Sequence, residues 1–207
     1  MPPYPPRAPG FLASGLHAWN GLVHTVVHQR NMRIHVTAAI LVMLVGSGIP
    51  LGLAEKVTLI FCVQFVFFAE ILNSALEALV DLATQQFHEK ARITKDAAAA
   101  GVLVLALGTV IIFAALLVHN WDTVVAHLED VRRQALLGVP VALCGMALMR
   151  NMHRRLWVDV GLLGVALGLW GILLTRTKSY VFSSLLLGLI VLTFAAALAR
   201  RRPRVTL

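Results

Sequence analysis

Long apolar runs separated by short polar breaks dominate the chain. Six can be marked, Val36–Leu53, Val57–Asp81, Ala97–Val118, Ala135–Met149, Leu156–Thr175 and Ser179–Ala199. Most reach the roughly 18 to 20 residues that a helix needs to cross the hydrocarbon of a bilayer. The fourth has only 15 residues, a length that suits a re-entrant segment or a locally thinned bilayer better than a tilted span. Ahead of the first run, Leu12, Leu16, Trp19, Val23, Val26 and Val27 recur at helical spacing, while His17, Asn20, His24, His28 and Asn31 fall on the other side. That pattern predicts an amphipathic helix lying in the membrane interface. A polar loop is expected over Thr84–Lys95.

Composition agrees with a lipid-embedded chain. Hydrophobic residues make up 58% and charged residues 14% of the 207, and the mean hydropathy is +0.80, far above that of a soluble domain. The net charge of +8 is not gathered into a basic domain, so anionic lipid headgroups explain it better than nucleic acid. With six spans and an inner N-terminus, Arg7, Arg30, Arg33, Lys90, Arg92, Lys95, Arg150, Arg154, Arg155, Arg200, Arg201, Arg202 and Arg204 fall inside, 13 of the 18 Lys and Arg. Lys56, Arg132, Arg133, Arg176 and Lys178 fall outside. The positive-inside rule therefore places both termini in the cytoplasm and favours keeping the short fourth run as a span. Cys62 and Cys144 sit in apolar runs without ligand spacing and read as packing residues. The start, with Pro2, Pro3, Pro5, Pro6 and Pro9, shows no signal-peptide pattern. The expected organisation is a Pro-rich tail over 1–10, a unit over 11–118 made of the surface helix and three spans, and about three further spans over 119–207.

Chemistry concentrates in EILNSALEALVD, residues 70–81. At about 100° per residue Glu70, Asn73, Glu77 and Asp81 share an arc of roughly 80° on one helix face. A carboxylate facing lipid costs roughly 2.5 kcal/mol or more, so this face must look into a polar cavity, onto a metal, or against a partner helix as hydrogen-bonding glue. In KDAAAAGV, residues 95–102, Lys95 can meet a phosphate, Asp96 can cap a helix start, and the alanines with Gly101 admit a close neighbour. Carboxylates for Mg²⁺, a cation for phosphates and a base beside a hydroxyl are the parts that phosphoryl transfer needs. No Walker A sequence, kinase-type glycine loop or G-x-S-x-G is present, which excludes the common soluble scaffolds. His24 and His28, four apart, lack an acid or cysteine to complete a metal set and read as a solvated face. Asp159 reads as a helix-end charge beside basic neighbours, and Met146, Met149 and Met152 as apolar filling.

These residues resemble a known family. EILNSALEALVD, followed by FHEKARITKDAAAAGVL and preceded by RNMRIH at 30–35, is similar to the small bacterial diacylglycerol kinases and undecaprenol kinases, over roughly residues 10–118. The resemblance implies an all-α integral membrane protein of the bacterial cytoplasmic membrane, with a surface helix, a three-span core, and a homotrimer whose active sites are shared between protomers. It implies ATP and Mg²⁺ as cofactors and a membrane lipid alcohol as substrate. By position Glu70 matches the general base and, with Ala99, the lipid site. Glu77 matches a metal-binding carboxylate, with Asn73 and Asp81 supporting the same polar site. Lys95 and Asp96 match nucleotide-contacting residues, as do His17, Gln29, Glu77, Gln86, Phe87 and His88. Where the family carries its second metal-binding glutamate, this chain has Gln29. An amide oxygen can ligate Mg²⁺ but adds no charge, leaving either a kinase with altered metal demand or a catalytically impaired protein that binds lipid or scaffolds a complex. RNMRIH looks more like the undecaprenol kinase branch, which favours a polyprenol over diacylglycerol. Intramembrane acids can also serve as a transporter's proton relay, but these cluster toward one end of one helix instead of crossing the bilayer.

Overall fold

The computed structural model describes residues 10–150 and 154–201. The Pro-rich tail with Arg7, together with Met152, Arg202 and Arg204, lies outside them. Among the described residues the chain is helical and holds no strand: α1 (Phe11–His28), α2 (Arg30–Ser47), α3 (Leu53–Ala83), α4 (Glu89–His119), α5 (Trp121–Ala126), α6 (Leu128–Met149), α7 (Leu156–Leu174) and α8 (Tyr180–Ala199). α3, α4, α6, α7 and α8 are each long and apolar enough to cross a membrane. The protein is a multi-pass membrane protein.

Three boundaries depart from the apolar pattern. α2 is not among the five spanning candidates, because Arg30, Arg33 and His35 occupy its first turns and the helix ends at Ser47. The run expected to continue to Leu53 is cut there, where Gly48 and then Pro50 follow; a proline offers no N–H to the ladder and pushes its predecessor out of the helical region. α6 reaches back to Leu128 and has 22 residues, about 33 Å at 1.5 Å per residue, so the short fourth run is the apolar part of a full-length span. α4 begins at Glu89, with the His88 imidazole accepting from the Lys90 backbone N–H at 3.2 Å. The polar loop is therefore confined to 84–88, and Asp96 does not cap a helix start. It lies inside α4, paired with Arg92 at 2.9 Å.

α1 carries Val23, Thr25 and Val26 inward and leaves Phe11, Leu12, Leu16 and Trp19 uncovered, as a helix lying in an interface does. Gln29, in extended conformation, is the joint from which α2 turns away. α3 and α4 form an antiparallel hairpin, and α2 is seated against α6, α8 and α3. Glycines permit that seating. A Cβ at Gly46 falls 2.7 Å from the Phe182 ring, one at Gly145 falls 3.2 Å from Ile40, and one at Gly138 collides with Leu44.

Both ends of the bundle are tied. The Lys178 backbone N–H donates to the Ser47 carbonyl at 2.8 Å, joining the α7–α8 turn to the end of α2. At the opposite end Arg200 donates to the carbonyls of Leu148, Met149 and Arg150, closing the exposed end of α6 with the end of α8. Burial, and then the nearby charges of Arg33 and Arg154, lower the Arg200 guanidinium to about 10. Asp159, buried in the first turn of α7, pairs with Arg154 and Arg201, which bears out its reading as a helix-end charge. Gly46→Ala should destabilise the bundle by about 1 to 3 kcal/mol, since the Phe182 ring is fully buried and has no free side to move into. Gly164→Ala, where nothing lies within 4 Å, should leave the detergent unfolding midpoint nearly unchanged.

Candidate functional site

The acidic face of α3 runs from the interior to the surface and changes character along the way. Glu70 has 0% exposure and Asn73 4%. Neither Glu70 oxygen makes a hydrogen bond of ordinary geometry, the backbone of Met32 in the first turn of α2 being its polar neighbour, and Asn73 Oδ1 and Ser74 Oγ likewise make none. A buried carboxylate left unsatisfied is expensive, and such groups gather where a ligand, cation or proton completes them. One turn further on, Glu77 is half-buried and receives two hydrogen bonds, from Asn73 Nδ2 at 3.1 Å and from Gln29 Nε2 at 3.3 Å. The joint between α1 and α2 thus brings Gln29 onto the acidic face across 48 residues of sequence.

Beside this group lies a cleft of about 390 Å³ between α1 and α3, lined among others by Gly21, His24, His28, Gln29, Glu77 and Asp81. His24 and His28 stack with ring centroids 4.0 Å apart. Burial, and secondarily the charge of His28, hold the His24 imidazole below the ordinary histidine range. Both rings are exposed, as expected of a solvated face, and stand at the edge of the cleft that Glu77 and Asp81 also line. The seven-residue interval from His17 to His24, with Gly21 and His28 continuing the same face, was the available sequence signal. Among the described residues no three His, Cys, Asp or Glu side chains are close enough together to bind a metal by themselves.

A second cleft, of about 590 Å³, opens at the α3–α4 turn and is lined by residues that include Asp81, Gln86, Phe87, His88, Arg92 and Lys95. Asp81 belongs to both clefts, and Lys95 Nζ reaches its carboxylate at 2.5 Å. The structure therefore brings together Gln29, Asn73, Glu77 and Asp81 on one side and Asp81, Gln86, Phe87, His88 and Lys95 on the other. It does not bring His17, Asp96 or Ala99 into either cleft. Glu70 and Asp81 are eleven residues apart on α3, about 16 Å along the axis, so within one chain Glu70 is far from the cation at Lys95. Arg92 was not foreseen. It lines the second cleft and is held by Glu89 at 2.6 Å and Asp96 at 2.9 Å.

Glu70, Asn73 and Glu77 share one face of α3, but Glu70 and Glu77 stand two turns apart, about 10 Å along the axis, and both Glu77 oxygens already accept from amide N–H groups. The Gln29 amide can turn either its oxygen or its nitrogen toward the site, and beside the Glu77 carboxylate it presents the nitrogen.

Residues 16–117 match the family model described as prokaryotic diacylglycerol kinase. A diacylglycerol kinase from Synechocystis is 39% identical over 53% of this chain and 63% of its own length, so the chain spans somewhat under two thirds of that relative. The undecaprenol kinase of Bacillus subtilis is 36% identical over 49% of this chain and 83% of its own length. The diacylglycerol kinase of Escherichia coli K12 is 32% identical over 49% of this chain and 83% of its own length. No solved structure matches. The matched stretch contains the acidic face, the α1–α2 joint and the α3–α4 turn, and on that similarity the chain belongs to the prokaryotic diacylglycerol kinase family of membrane lipid kinases.

Proposed function

We propose that the protein transfers the γ-phosphoryl group of ATP to the hydroxyl of a membrane lipid alcohol at the cytoplasmic surface of a bacterial inner membrane, undecaprenol being favoured over diacylglycerol. The observation that carries the proposal is the buried, unpartnered Glu70 carboxylate one turn from Asn73 and two turns from Glu77. A base must be free to accept a proton, and in an apolar surrounding a lipid hydroxyl is the natural donor. In this reading Glu70 takes that proton, the hydroxyl oxygen attacks the γ-phosphorus, and ADP leaves. Glu77 and Asn73, with Gln29 as a neutral partner, are the residues that would hold Mg²⁺, whose chemistry is to draw charge from the phosphates. Lys95 neutralises phosphate charge from the second cleft. Gln86, Phe87 and His88 contact the nucleoside, as do His17 and Asp96 from outside the clefts. Ala99 borders the lipid.

The distance along α3 between Glu70 and the Lys95 end supports a homotrimer in which one protomer's acids work with another's α4. α4 suits that role, since Val102 is its sole buried residue among those described in one chain. The N-terminal 118 residues act as the kinase unit and α5 to α8 as an addition to it; α2 runs the length of the bundle beside the five apolar helices, and Arg200 after α8 returns to the end where α2 starts, which supports both termini being cytoplasmic. A second reading, a non-catalytic lipid-binding or scaffolding protein, draws on one observation, the amide of Gln29 in contact with Glu77.

Purified protein given Mg-ATP should phosphorylate undecaprenol, and diacylglycerol more slowly. Glu70→Gln should lower turnover by about 10² to 10⁴ while the oligomer survives. Absence of transfer to both lipids by folded protein, across Mg²⁺ and Mn²⁺, would abolish the kinase reading and leave the scaffold. Gln29→Glu should reduce the Mg²⁺ concentration for half-maximal rate by about three- to tenfold, because a second charge joins the donor set. An unchanged Mg²⁺ requirement would remove Gln29 from the metal site.

A further inference from the structure

A third cleft, of about 620 Å³, lies between α2 and α6. It involves a helix from outside the stretch that matches the family model, and it is built differently from the clefts of the acidic face. Its walls are apolar: Ile34, Ala38 and Leu41 from α2 face Leu143, Met146 and Ala147 from α6. Its mouth is cationic, formed by Arg30, Arg33 and Arg150. Among the described residues none of these three arginines has a carboxylate partner; Arg33 donates only to the Val27 carbonyl, at 2.9 Å. Asp159, the acid whose charge reaches Arg200 at this end of the bundle, is already claimed by Arg154 and Arg201. Arg200 is close enough to feel the charges of both Arg33 and Arg154. The end of the bundle where α2 starts and α6 stops therefore carries an excess of guanidinium charge that the protein leaves unneutralised.

From Arg30 to Leu41 the groove runs eleven residues, about 16 Å, roughly half the 30 Å of a bilayer's hydrocarbon. That is the depth of one leaflet, with the cations at headgroup level. Guanidinium groups match phosphate oxygens in geometry and do not give up their protons. Three of them grouped together suit a dianion better than a monoanion. We propose that this groove binds a lipid phosphate, a phosphomonoester headgroup held by Arg30, Arg33 and Arg150 with a hydrocarbon chain laid between α2 and α6. The groove opens on the α6 side of α2, whereas Gln29 turns to α3, so it is a separate site from the acidic cleft. Binding there does not depend on the kinase reading. Where that reading holds, the ligand has the chemistry of the reaction product, and the site is a place for product to be held beside the reaction centre.

The test uses the full chain in phosphatidylcholine nanodiscs containing a few mole per cent of dioleoyl phosphatidate, without nucleotide, and counts retained lipid by native mass spectrometry. Wild type should retain phosphatidate about tenfold better than phosphatidylglycerol, a monoanionic diester, and better still than diacylglycerol. Arg150→Gln, a change at an exposed helix end, should lower retention about tenfold, and Met146→Trp, which fills the groove, should lower it comparably. Glu70→Gln should retain phosphatidate as wild type does, whatever its effect on phosphoryl transfer. Retention of phosphatidylglycerol equal to that of phosphatidate would reduce the site to a general anionic surface and overturn the proposal. So would retention unaffected by Arg150→Gln, or release of the lipid by millimolar inorganic phosphate, which would make the ligand a free anion.

Discussion

The close seating of α2 against α6 and α8 is the constraint on which the rest of the molecule depends. Gly46, Gly138 and Gly145 remove the side chains that would hold these helices apart, and Phe182, Leu44 and Ile40 fill the space left. With lipid all round there is little hydrophobic drive to bring helices together, so closeness of packing and hydrogen bonds at the ends must do it. Those bonds are the ties of Lys178 to Ser47 and of Arg200 to the last carbonyls of α6. Once α2 is held, its first residues are fixed as well. Gln29 then reaches Glu77, and the arginines of the following turn face α6. Both the acidic cleft and the cationic groove are consequences of where one short helix sits.

That dependence also joins two parts of the chain that sequence similarity separates. The matched stretch ends at residue 117, yet α2, which lies inside it, is packed largely against α6 and α8, which lie outside it. The added helices contribute no residue to the acidic face of α3 or to the two clefts beside it. They supply a wall for the helix that carries Gln29, and their own cations gather at the same end of the bundle. The C-terminal part, silent when read for chemical motifs, thus has a physical role in positioning.

Much of this was legible in the sequence, and the exceptions have physical reasons. The shared face of Glu70, Asn73, Glu77 and Asp81 follows from helical periodicity alone, and so does the amphipathic surface helix. What periodicity cannot express is depth. It gives the four residues one direction, whereas the structure buries Glu70 and Asn73 and leaves Asp81 65% exposed on its side chain. Helix ends were also misjudged wherever polar residues continue a helix beyond the apolar run. Leu128–Gln134 extends α6, and Glu89–Asp96 opens α4, because i, i+3 and i, i+4 ion pairs such as Glu89–Arg92 and Arg92–Asp96 support exposed helix without apolar contacts. The stacked histidines were visible at their spacing but lacked an acid nearby in sequence. Glu77 shares a cleft with them only because the α1–α2 joint sets α1 beside α3.

The Lys95–Asp81 pair at the lip shared by two clefts has a further consequence. Both side chains are substantially exposed, at 37% and 65%, and an ion pair in water is worth about 1 kcal/mol at most. It is therefore strong enough to choose a rotamer for a long, flexible side chain and too weak to compete with a polyanion. Lys95 is kept parked against a sacrificial partner, its conformational freedom already spent before any ligand arrives. Were a phosphate to draw the ammonium away, Asp81 would be left unpaired on the wall of the neighbouring cleft, so the two chambers share one charge and could exchange it without any movement of the backbone.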